Sequence, residues 1–245
     1  MTHVSFDAER IAGITELDRA VRVAARTLAR AGLAHAYGHC SARLDTDHFV
    51  VCAARPMGLL GAGEPGTVVP VDGPLPDGVL GEVRLHQHIY RSRPDIGAVA
   101  RTMPPKTMSL STLRRTPRAL HGPGTYFAPG VPLWDDPQLI RSDEQAAAVI
   151  ATMGTNAAVV MRGNGAVVAA DTLEAMVALT WYLEDAARVD LDVLALEAAL
   201  PAAVLEDEAC RVRATRSGRI IERMWEYLSA GDPELPGRSS SHPGS

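Results

Sequence analysis

Lysine is nearly missing from this sequence: one, Lys106, stands against 23 arginines. Chemistry that needs a lysine amine has that single candidate, and a Schiff base there would also need a desolvated pocket. Aromatic side chains make up 4% of the chain and the net charge is −5. That is too few rings to stack nucleic-acid bases and the wrong field for a phosphate backbone, so nucleic acid is not an expected partner. The three cysteines, Cys40, Cys52 and Cys210, include no CxxC pair, which argues against a disulfide framework and a cysteine zinc site. No apolar run approaches the ~18 residues of a membrane span. The first eleven residues carry Asp7 and Glu9 rather than an apolar export core. A cytoplasmic protein away from membranes is expected.

What is present suits an enzyme-sized fold. A chain of 245 residues, 47% hydrophobic and 22% charged, can close one large α/β or α+β core without staples. Ile11, Ile14, Leu17, Val21, Ala24 and Leu28 recur at three- and four-residue steps, predicting a helix over 7–31 that stops at Gly32. Strands are expected over 48–52, 67–71 and 96–103, the last closed by Pro104-Pro105, and a helix over 82–93 before Pro94. Ser142 is placed to cap a helix over 143–153. Strands 157–161 and 166–170 are joined by the tight turn Arg162-Gly163-Asn164-Gly165. Asp171 or Thr172 then caps a helix running to about 200, Pro201 breaks it, and a last helix spans 204–228. This reads as a single domain, 1–231, with a disordered Pro/Gly/Ser-rich tail, 232–245.

The segment Glu82-Val83-Arg84-Leu85-His86-Gln87-His88 is the most chemically loaded. On a helix Glu82 and His86 share a face, whereas His86 and His88 stand about 200° apart and cannot ligate one metal together. Ser41 lacks a nucleophile-elbow context, and Gly122 and Gly124 form no nucleotide-binding pattern. Taken alone, Arg162–Gly165 is a hairpin and Met103-Pro104-Pro105 is punctuation.

In their order along the chain, these segments resemble the class II aldolase/adducin family. The resemblance runs through Gly38-His39-Cys40-Ser41-Ala42-Arg43, Gly81-Glu82 to His86, Ile89-Tyr90, Arg93-Pro94-Asp95, Gly163-Asn164-Gly165 and Asp171-Thr172-Leu173-Glu174-Ala175, covering about residues 8–200. It implies a three-layer α/β/α fold with a central, mostly antiparallel sheet, assembled as a homotetramer with sites between subunits. It also implies that Glu82 is the acid/base. His39, Ser41 and Arg43 fall where family members bind the substrate's anionic end, with His86, Met103 and Asn164 as further substrate-binding candidates; His121 and Tyr126, in the Gly-rich passage, are also placed to line the pocket.

The departures are as informative as the matches. Where the family carries H-T-H-P and a G-H-G turn, whose three histidines hold a divalent metal, this chain reads Arg101-Thr102-Met103-Pro104 and Gly163-Asn164-Gly165. A permanent cation at the centre of the site repels a divalent ion and Met103 is a poor zinc ligand, so no metal and no other cofactor is expected there. Arg101 is suited to grip a carboxylate or enolate in the metal's place. The family's sugar-phosphate members carry a small-residue phosphate loop where this chain has Ala53-Ala54-Arg55-Pro56-Met57-Gly58. That points to a small, carboxylated, non-phosphorylated substrate. The expected activity is a metal-independent carbon-carbon lyase, by decarboxylation, retro-aldol cleavage or a related elimination or isomerisation, with Arg101 as oxyanion stabiliser and Glu82 as general acid/base. The alternatives are a non-catalytic, adducin-like binding or assembly protein, a metal site relocated to Glu82, His86 and either His39 or His121, and a Schiff base on Lys106.

Overall fold

Period-two patterning builds the centre of the molecule. In the computed structural model, which describes residues 8–236, the seven strands are β1 (His39–Arg43), β2 (His48–Val51), β3 (Thr67–Pro70), β4 (Ala98–Thr102), β5 (Leu133–Trp134), β6 (Ala158–Met161) and β7 (Ala166–Ala170). They form one sheet in the order β3-β2-β1-β4-β7-β6-β5. Every neighbouring pair is antiparallel except β5 with β6. Successive side chains go to opposite faces: Cys40, Ala42, Ala98, Ala100, Ala166 and Val168 enter one core, and Phe49, Val99, Val159, Val167 and Ala169 the other.

Helices cover both faces. The first core is closed by α1 (Ala8–Arg30), α5 (Leu173–Leu194) and α7 (Ile220–Ser229), and the second by α2 (Arg84–Ser92) and α4 (Asp143–Met153). The alanines of β4 and β7 on the α5 side present a low surface, so the long helix lies close to the sheet. The expected three-layer α/β/α architecture is what the chain adopts. Ser142 and Gln145 close a full capping box on α4, and Thr172 rather than Asp171 caps α5 through the Ala175 amide.

Three expectations are corrected. The helix predicted over 204–228 is two, α6 (Asp207–Arg213) and α7, separated by a loop in which Gly218 and Arg219 take positive φ. The loop sequence Thr215-Arg216-Ser217-Gly218-Arg219 carries no apolar residue, a lapse in the pattern that the expectation of one helix passed over. The helix predicted from Glu82 begins with a 3-10 turn, Gly81–Val83, and α2 proper starts at Arg84. The helix expected to run to about 200 ends at Leu194, and Pro105, which closes the expected strand, also opens a further helix, α3 (Pro105–Ser111), proline being well suited to a first helical turn.

Residues 232–236, expected to belong to the tail, pack against the rest of the chain. Asp232 is buried and pairs with Arg26 at 2.6 Å and Arg30 at 3.0 Å, while Glu234 pairs with Arg22 at 2.8 Å and Arg26 at 2.7 Å. These contacts seat the stretch following α7 along α1. Residues 237–245 lie outside the described part of the chain.

Candidate active site

The site forms at the end of β4, where two glycines let neighbouring backbone come very close. A Cβ on Gly38 would sit 3.0 Å from the Arg101 carbonyl oxygen, and one on Gly165 only 2.0 Å from that of Thr102. Both glycines also hold positive φ, +141° and +83°, so an L side chain would meet steric and backbone strain together. Sequence thereby presses the loop before β1 and the β6–β7 turn against β4 from either side. His39 pairs in register with Arg101 across β1 and β4, and Asn164 arrives on the turn.

A cleft of about 730 Å³ opens at this point, bordered by His39, Glu82, Arg101, Met103 and Asn164 and, at its rim, by Tyr37, Arg55, Leu80, Leu139 and Arg141. Arg101 is 3% exposed. Its Nη2 donates to Asn164 Oδ1 at 2.8 Å. Its Nε lies 2.9 Å from Glu82 Oε2 but off the N–H direction, so this contact is an ion pair without a hydrogen bond. Burial pulls the Arg101 guanidinium below its ordinary pKa and the Glu82 charge opposes that; a guanidinium still keeps its proton. Asn164 Nδ2 and His39 Nε2 are buried without protein partners. The arrangement offers a fixed cation, an amide and an imidazole to an anion, beside a carboxylate able to move a proton.

Behind the cleft wall runs a buried chain of polar groups. His39 Nδ1 is 2.9 Å from His86 Nε2, His86 Nδ1 is 2.6 Å from Ser41 Oγ, and Ser41 Oγ is 2.9 Å from the Tyr90 hydroxyl. Burial lowers His86 to about 3. It also holds His39 well below the ordinary histidine range, with His86 and Arg101 adding to the effect, and pushes the Tyr90 phenol well up. All three groups are neutral at pH 7.

The structure therefore brings together Glu82, Arg101, His39, Met103 and Asn164 of the residues singled out in the sequence. It does not bring the others into the cleft. Ser41 and His86 lie behind it, spent on each other and their neighbours. Arg43 is held by the Ile96, Tyr90 and Arg93 carbonyls, with its guanidinium 4.7 Å from the centre of the Tyr90 ring. His121 bonds Asp185 at 2.8 Å and Tyr126 donates to the Thr215 carbonyl. Lys106 is an exposed residue in the first turn of α3 and is not part of the cleft. Tyr37, Arg55 and Arg141 were missed as candidates; each comes from a loop, and no spacing links them.

The residues present do not fit a divalent metal at the position the family resemblance implies. Arg101, Met103 and Asn164 offer a cation, a thioether and an amide, and the one carboxylate, Glu82, is paired with the guanidinium. The relocated set fares no better, because both His86 nitrogens are engaged and His121 lies with Asp185. Among the described residues no group of three or more His, Cys, Asp or Glu side chains is arranged to hold a metal ion.

Fold and site together define a class. Residues 19–191 match the family described as Class II Aldolase and Adducin N-terminal domain, and the chain belongs to that family. Among relatives of known activity, the 3,4-dihydroxyphthalate decarboxylase of Arthrobacter keyseri is 31% identical over 198 residues, 74% of this chain and 80% of the relative. The decarboxylase of the same name from a Terrabacter species is 28% identical over 201 residues, 73% of this chain and 83% of the relative. In three dimensions the chain is similar to the L-fuculose 1-phosphate aldolase of Glaciozyma antarctica, with a TM-score of 0.73 at 18% identity over 92% of this chain and 93% of that one. It is similar, too, to an aldolase II superfamily protein of Pseudomonas syringae, with a TM-score of 0.74 at 19% identity over 88% and 91%.

Proposed function

We propose that this protein is a lyase that removes a carboxylate from an aromatic ring carrying two carboxylates and a hydroxyl, and that it does so without a divalent metal at the family position. The observation that carries this is the Arg101, Glu82 and Asn164 constellation in the cleft. The names of the relatives point to the same substrate class. Charge agrees: Arg101 and Arg141 border the cleft against the single carboxylate of Glu82, with Arg55 at the rim paired to Glu64, a positive balance suited to an anion. Tyr37, Leu80 and Leu139, exposed at the rim, give a ring its apolar contact.

Arg101 and the Asn164 amide take the substrate oxygens on which negative charge gathers. A bound carboxylate competes with Glu82 for the guanidinium, and the missing hydrogen bond between Arg101 Nε and Glu82 leaves that pair open to exchange. Glu82, once protonated, gives its proton to the ring carbon bearing the departing carboxylate. The carbon-carbon bond then breaks, CO₂ leaves, and the electron pair of that bond restores the aromatic ring. Net, a carboxylate and a proton become CO₂ and a ring C–H; water returns the proton to Glu82. The charge relayed through the ring hydroxyl oxygen meanwhile faces fixed donors that need no reorganisation.

The test is CO₂ release from 3,4-dihydroxyphthalate. Replacing Arg101 by Met is expected to lower kcat/KM by roughly 10²- to 10³-fold, the scale of losing one oxyanion donor. Arg101→Lys is expected to recover little, because an ammonium cannot reproduce the planar fork. Undiminished turnover in both variants would sink the assignment.

A further inference from the structure

His39 borders the cleft, is 2% exposed, and has no protein partner for Nε2. Buried polar atoms almost always find a partner, so one left open beside a cleft marks a place for a ligand. What it offers, a proton or a lone pair, follows from the chain behind it. The buried Tyr90 phenol keeps its proton. Its side-chain partner is Ser41 Oγ, and a buried O–H turned elsewhere would lose its acceptor. Tyr90 therefore donates to Ser41. Ser41 passes its own proton to its other partner, His86 Nδ1. A neutral His86 that accepts at Nδ1 carries its hydrogen on Nε2, and that hydrogen goes to His39 Nδ1. With Nδ1 accepting, a neutral His39 has its hydrogen on Nε2.

We propose that His39 presents Nε2–H, as a neutral imidazole, to an oxygen of the bound carboxylated ligand, and that Ser41, His86 and Tyr90 are positioning residues that lock this tautomer. The ligand's identity rests on the decarboxylase reading; the tautomer does not. A neutral donor suits this wall, because an imidazolium would stand beside the buried guanidinium of Arg101 and repel it. The imidazole stabilises charge and gives up no proton, leaving proton transfer to Glu82. On another side the ring borders a void of about 10 Å³ reached by Cys52 and Val83, room for roughly one water. Donation to such a water is the competing use of Nε2–H.

Nitrogen NMR of the full chain labelled at histidine tests this, with His39→Gln identifying the resonances. Expected at pH 7 is the Nε2–H form of His39 in the free protein, and movement of its Nε2 signal when 3,4-dihydroxyphthalate or phthalate is added. Tyr90→Phe, which removes the terminal donor, is expected to shift the His39 tautomer ratio without loss of fold by circular dichroism, and His39→Leu to lower kcat by about 10- to 100-fold. An Nδ1–H form, or a ratio indifferent to Tyr90, overturns the positioning chain. An Nε2 signal that stays put while tryptophan fluorescence reports binding assigns the hydrogen to the buried water and overturns the ligand contact, as does failure of both compounds to bind at millimolar concentration. If the tautomer and the ligand shift hold but no CO₂ is released, the decarboxylase reading fails and this inference stands.

Discussion

Arg101 shows how one residue can be singled out in a sequence and still need a structure to be understood. The substitution of Arg and Met for two expected histidines is plain in Arg101-Thr102-Met103-Pro104; the partners that turn Arg101 into a site, Glu82 and Asn164, are not. Arg43 is the opposite case. It sits inside a recognisable segment, yet its donors go to three backbone carbonyls that only the fold brings near. His86 was legible as a loaded residue, but its burial was not. That burial gives a prediction for stability. His86 is lowered to about 3 and His39 is shifted the same way, while an unfolded histidine titrates near ~6.5. The unfolded chain thus binds more protons between those values, so this contribution is complete above ~6.5 and is lost as pH falls toward about 3. Urea midpoints are expected to fall between pH 7 and pH 4, and less steeply in His86→Gln; parallel pH profiles would contradict the buried neutral pair.

At the scale of elements, the strands and helices were legible wherever the period was clean. β6, β7 and α4 fall within a residue or so of expectation because two short, wholly apolar runs, an Asn-Gly turn and a Ser cap agree with one another. The break between α6 and α7 was legible in residues 215–219, where the apolar spacing lapses, and Gly218 was the overlooked signal. The most demanding junction is the β6–β7 turn. Gly165→Ala would put a methyl group 2.0 Å from the Thr102 carbonyl at a φ of +83°, so backbone must move and Asn164 must move with it. Expected is a loss of about 2–4 kcal/mol, above the usual range for strained backbone alone, with a larger relative loss of turnover than of folded protein. Chemical denaturation beside a CO₂ assay separates the two. By contrast Ser142→Ala removes only the α4 cap and is expected to cost about 1 kcal/mol without touching turnover.

At the scale of the molecule, the arginine excess has a structural use besides Arg101. Arg22, Arg26 and Arg30 lie on one face of α1 and bind Asp18, Asp232 and Glu234, tying the end of the described chain to its beginning. The Pro/Gly/Ser composition from 232 onward concealed this, because the partners lie some two hundred residues away. The Arg22 and Arg26 pairs hold Glu234 at about 2. Removing residues 232–245 would leave buried Arg26 with no carboxylate partner and Arg22 with Asp18 alone, and breaking buried pairs this way costs about 3–5 kcal/mol. A markedly lower Tm is expected for that truncation, and a smaller drop when residues 237–245 alone are removed; equal Tm values for both truncations would contradict the ion-pair ladder.

The described residues keep a class II aldolase fold around a guanidinium, and an Arg101 that does the electrostatic work there makes a metal dispensable. The most direct test is CO₂ release from 3,4-dihydroxyphthalate by protein stripped with a strong chelator, with metal content measured on the same sample by mass spectrometry. Expected is undiminished turnover at a metal content far below one ion per chain. Turnover that vanishes on stripping and returns with an added divalent ion would contradict that role for Arg101.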